Sequence, residues 1–144
     1  MAVLRIRLLG DPVLRKKCRA VDRITKEDRQ LIDDMIETME EADGAGLAAP
    51  QVGVTRKIIV VHDQRDRPTA IINPKIVSRS NEIVCGAEGC LSLPRLQAEV
   101  KRPQEAVVRG RGSTASRSRL PAATSVAAQS STNWTTSTVD CTST

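Results

Sequence analysis

Cys90 is the residue with the widest chemical reach in this chain. It stands in Glu88-Gly89-Cys90-Leu91-Ser92-Leu93-Pro94. A thiolate is a strong ligand for a divalent metal, and a bound metal keeps the thiol ionised. A lone cysteine is more commonly a small buried hydrophobe, so residue type alone does not decide its role. Gln51 is the second candidate, because its side-chain amide is a donor suited to a developing oxyanion. It belongs to Gly44-Ala45-Gly46-Leu47-Ala48-Ala49-Pro50-Gln51-Val52-Gly53, where glycines and a proline bracket small residues and let the main chain approach a ligand closely. Read alone, that run is equally a tight loop. His62, the single histidine, ends a strand-like run and reads as a strand-terminal residue. Cys85 and Cys90 are close in sequence, but no second pair completes a structural zinc site, and Cys141 lies far away in a polar tail.

Together the two runs resemble the first two signature motifs of the peptide deformylases, metal hydrolases that remove the formyl group from the initiator methionine of new proteins. The resemblance implies that Gln51 and the Leu91 main-chain N–H bind the formyl oxygen as it gains charge. It also implies that Cys90 is the one sulfur ligand and that Gly44, Gly46 and Leu47 contact substrate. Glu88 would orient the site from outside the ligand set, through Arg102. The metal of the family is iron(II), replaceable by other divalent ions, held by one Cys and two His with a position left for water. The two His come from a helical His-Glu-x-x-His, whose Glu moves the proton. That third motif is absent from this chain. The expectation is a deformylase relative that retains no metal and does not turn over. The implied partners are N-formylmethionyl nascent peptides and the ribosome, with no membrane, no specific nucleic acid and a cytoplasmic location.

The composition breaks where the motif should follow. Residues 1–110 contain 7 Ser and Thr, and residues 111–144 contain 16. Few aliphatic residues remain there to offset the entropy of ordering. We expect a deformylase-like but incomplete domain over 1–110 and a disordered or out-of-frame tail over 111–144. The second alternative has a specific basis. Codons allowed for Gln129 to Ser143, read two bases later, spell Glu-Gln-His-Glu-Leu-Asp-His-Leu-Asp-Gly-Arg-Leu-Tyr-Ile, which resembles the missing motif and the strand after it. A frameshift near Gly110 accounts for both the lost motif and the rise in Ser and Thr. The competing readings are a non-catalytic derivative that binds nascent peptides or the ribosome, and a product with no function.

These residues need a scaffold, and its pattern is α+β. Val3 to Leu9 reads as a short extended arm running into the turn signal Gly10-Asp11-Pro12. Thr25-Lys26-Glu27-Asp28 reads as a capping box with Asp in the fourth place. Leu31, Ile32, Met35, Ile36 and Met39 follow as one apolar helical stripe, with Gly44 as the stop. Short strands are expected at 57–61, at 70–77 with a break at Pro74, at 82–85, at 96–100 and at 105–108, mainly antiparallel. The usual metal-binding C-terminal helix is missing. The chain carries a net charge of +5 and no Phe or Tyr, which leaves few stacking platforms for single-stranded nucleic acid. No apolar run approaches the roughly 20 residues of a membrane span, and the N-terminus lacks an export signal.

Overall fold

The one α-helix among the described residues, α1 (Lys26–Glu41), starts where its capping box predicts. Thr25 Oγ1 accepts from the Asp28 N–H at 3.2 Å, and an Asp28 carboxylate oxygen accepts from the Thr25 N–H at 2.9 Å. Asp28 is fully buried and also pairs with Arg56 at 2.9 Å, which ties the helix start to the loop before the second strand. Ile32, Met35 and Met39 are buried, with Leu31 and Ile36 bordering them, and they face Leu47, Ile58, Val60, Ala70 and Ile72. The methionines are core residues, each worth about 1.5–3 kcal/mol of apolar burial.

The computed structural model describes residues 2–62, 67–79, 81, 83–103, 106–111 and 117–121. Its strands are β1 (Gly46–Ala48), β2 (Ile58–His62), β3 (Pro68–Arg79), β4 (Ile83–Cys90), β5 (Leu93–Pro103), β6 (Ala106–Arg111) and β7 (Arg117–Pro121). The order β1-β2-β3-β6-β7 forms one antiparallel sheet, and β4-β5 forms a second. Leu47 lies opposite Val60, and Val60 opposite Ala70, so the three strands present one apolar face to α1. The expected α+β class, with an early helix and antiparallel strands, is the one observed.

Two details differ from the sequence reading. First, α1 is stopped by Asp43, not Gly44. Asp43 takes the left-handed conformation at φ 52°, its N–H donates to Glu40 O at 3.0 Å, and the Gly44 N–H donates to Met39 O at 2.9 Å. Those are the paired bonds of a Schellman ending, with Asp where glycine is usual. Second, Pro74 does not break β3. The strand bulges there, with Asn73 at φ 52° and its amide both accepting from and donating to Val21 at 2.7 Å. Beyond these, β6 runs across residue 110 and β7 takes residues 117–121. β7 pairs with β6 along its whole length, through main-chain groups that every residue carries. Residues 122–144, with the position of the expected metal-binding helix, lie outside the described residues.

Candidate functional site

Both sequence motifs are placed by turns at strand ends. β1 is an edge strand, and its residues pass directly into a 3₁₀ turn, Ala49–Val52, with Pro50 near its start and Gly53 leaving it at φ 89°. Gln51 projects from this turn and is completely buried. Its Oε1 accepts from the Ala48 N–H at 2.9 Å, which fixes which end of the amide faces the second motif. Its Nε2 then donates to Ser92 Oγ at 3.1 Å and to Cys90 Sγ at 3.6 Å. One glutamine therefore joins residues 39 and 41 positions downstream.

Cys90 ends β4, where the β4–β5 ladder slips. Gly89 pairs with Gln97, but Cys90 pairs with Leu93, which leaves Pro94, Arg95 and Leu96 looped out, with Arg95 at φ 63°. Such a bulge twists a strand end and re-aims its side chains. Here it folds Ser92 inward until it is 2% exposed, while Cys90 stays half-buried as a free thiol. Leu91 sits in the turn between them. Its N–H has no partner among the described residues.

Gly44 meets the Cys90–Ser92 turn through Leu91. A Cβ on Gly44 would lie 2.7 Å from Leu91 Cδ1, so the missing side chain is the space that the leucine occupies. Gly46 and Leu47 lie in β1, and the Leu47 side chain is wholly inside the core. Their main chain lies on the edge of the sheet. The ladder sets Glu88 opposite Ala98 and Arg102 opposite Val84, four positions along the same strand pair. His62 closes β2 as expected, and its N–H donates to Ala45 O at 3.1 Å.

The structure thus brings Gln51, Cys90 and Leu91 together and adds two parts that the sequence reading did not single out. Ser92 is one, and its signal was a hydroxyl inside an otherwise apolar Leu-Ser-Leu run. The N-terminal arm is the other: the Arg7 N–H donates to Gln51 O at 2.6 Å and the Leu9 N–H to Ser92 O at 2.9 Å. Chemically the cluster provides two N–H donors flanking a thiol. Among the described residues no group of three His, Cys, Asp or Glu could hold a metal ion. With one histidine in the whole chain, a site of one Cys and two His cannot be assembled from it.

Comparison with known proteins gives a consistent result. A family model described as polypeptide deformylase matches residues 3–129. The chain is 52% identical over 110 residues to a peptide deformylase of Alkaliphilus metalliredigens, covering 76% of this chain and 74% of that protein. It is also 52% identical over 103 residues to peptide deformylase 1 of Clostridium acetobutylicum, covering 72% and 67%. Among solved structures, peptide deformylase from Thermotoga maritima superposes with a TM-score of 0.87 at 34% identity, over 94% of this chain and 92% of the other. The Ehrlichia chaffeensis protein in complex with actinonin superposes with a TM-score of 0.89 at 34% identity, over 94% and 84%.

Proposed function

Since this chain belongs to the peptide deformylase family, a family of metallohydrolases, we propose that it recognises the N-formylmethionyl end of a nascent peptide and, as written, does not hydrolyse it. The observation that carries this reading is the Gln51 amide, buried and aimed at Cys90 and Ser92. An incoming formyl oxygen would displace the longer of its two contacts, the N–H···S bond, and keep the Ser92 bond as an anchor. The Leu91 N–H would be the second donor. The edge of β1 at Gly46 and Leu47, with Gly44 before it, would pair with the peptide main chain as an added strand.

The family's divalent metal, iron(II) by resemblance, does not fit the donors present. Cys90 supplies the thiol, but the second and third protein ligands and the proton-moving Glu have no counterpart. The proposed role is therefore binding without turnover, in the cytoplasm beside the ribosome. Glu88, with Arg102 four positions along the ladder, would hold the Cys90 turn in place. A one-base change that returns the tail to the frame spelling His-Glu-Leu-Asp-His would supply both histidines and the Glu.

The test combines three measurements on the purified chain: titration with formyl-Met-Ala-Ser against Met-Ala-Ser, formate release, and bound iron. The expected result is selective binding of the formylated peptide with no formate and no stoichiometric iron. Equal binding of both peptides would remove the recognition role. Formate release with one iron per chain would remove the claim of inactivity. A repeat DNA read across the codons for 100–144 then decides between a real lesion and an ordinary enzyme gene.

A further inference from the structure

Residues 2–9 are a strap across the site. The Ala2 N–H donates to Asp34 at 2.8 Å and the Leu4 N–H to Thr38 Oγ1 at 2.8 Å, so the arm is moored along α1. Leu4 also packs on the core. The arm then leaves the helix. Its next two main-chain donors reach the two motif turns in succession, Arg7 to Gln51 O at 2.6 Å and Leu9 to Ser92 O at 2.9 Å. The side chain of Arg7 adds a brace: its guanidinium lies over Gly53, within 3.2 Å of where a Cβ would be, and pairs with Asp11 at 3.2 Å. Asp11 in turn caps the 3₁₀ turn Pro12–Arg15 by accepting from the Val13 N–H at 3.0 Å. That bond, with help from Arg7, holds its carboxyl below the ordinary value.

We infer that Arg7 and Leu9 are positioning residues, whose main-chain N–H groups set the spacing between the Gln51 turn and the Cys90–Ser92 turn. The turns come from different sheets, β1 from the large one and β4-β5 from the small one. Among the described residues, the hydrogen bonds that link the two turns are those of the Gln51 side chain and of this arm, which bonds the main chain of both. Holding the two carbonyls at either end of the Gln51–Ser92 bond keeps the amide from following either turn alone. The importance of this for recognition rests on the formyl-binding reading above, but the spacing itself does not.

The experiment is nuclear magnetic resonance hydrogen exchange on the whole chain. In the unmodified protein the Arg7 and Leu9 amides should exchange more slowly than that of Leu8, which has no acceptor among the described residues. Equal rates overturn the inference without any variant. Leu9→Pro removes one donor, and the Gln51 side-chain amide should then exchange about fivefold faster, the equivalent of one hydrogen bond. The Val60 main-chain amide in β2 should not change. Leu8→Pro, the control, should leave Gln51 as it was. If Gln51 and Val60 accelerate together, the arm is a general stabiliser and positions nothing. If neither changes, the strap holds nothing. Faster Gln51 exchange with formyl-peptide binding unchanged would count against the formyl-binding reading instead.

Discussion

Gly44 and Ser92 show how little material the site needs. Gly44 contributes an absence, since Leu91 fills the volume a side chain would take. In Gly44→Ala the leucine must shift, and a flexible side-chain end can do so at small energetic expense. We expect the melting temperature to change little and formyl-peptide affinity to fall several-fold, as the Leu91 turn moves relative to Gln51. Calorimetric titration alongside a thermal melt separates the two. Ser92 contributes a hydroxyl in a wholly buried bond. Ser92→Ala leaves one N–H of the Gln51 amide without its better acceptor, and an orphaned buried donor costs about 1–3 kcal/mol. Urea denaturation should show that loss, and a midpoint equal to the parent protein's would mean the amide has found another acceptor.

The helix α1 is delimited by two side chains of opposite energetic sign. Thr25 closes a reciprocal cap with Asp28, and Thr25→Ala should destabilise the fold by about 1 kcal/mol. Asp43 holds the left-handed position at the other end. Asp43→Gly should stabilise by roughly 0.5–1 kcal/mol, because glycine enters that region without a steric penalty. The two changes are at opposite ends of the helix and share no partner, so the double variant should sum the single effects. Among the strands, β6 depends on Gly110. A Cβ there would overlap Ile71 Cγ2 and stand 2.9 Å from Ile72 O. Because one of those neighbours is main chain, Gly110→Ala should destabilise by about 2–3 kcal/mol, a loss readable in the same denaturation series.

For the molecule as a whole, the helix and three strands form one core, and the site lies where a second small sheet meets its edge. Acid–base behaviour follows from that core through Cys18, whose thiol burial pushes up from its ordinary value of 9.0 while Lys57 pulls the other way. A group whose pKa folding raises favours the folded state below its unfolded value, and that preference is lost as pH climbs through the folded one. Stability should therefore decline above about pH 9. Cys18→Ala should flatten that decline without altering stability near neutrality by the same route. Thermal melts of both proteins from pH 7 to 11 check it; parallel curves would assign the alkaline loss to other groups. Among the described residues no helix is long and apolar enough to cross a membrane.

Much of this protein was legible in one dimension, because it rests on local rules. The Thr25–Asp28 box, the Ile32-Met35-Met39 stripe and the β2 run are set by neighbours within a few positions, and the structure has them where spacing places them. The two motif strings carried the family, and a single histidine limited the metal chemistry before any fold was known. What the tertiary structure decided is everything that joins distant segments. Gly44 read as a helix stop because glycine usually is one, yet its role is to admit Leu91 from 47 residues away. Ser92 had no role of its own in the sequence reading, and the β4–β5 slip turned it onto Gln51. The arm carries no motif at all, since main-chain N–H groups are the same in every residue. Only their positions in space, beside Gln51 and Ser92, give them a task.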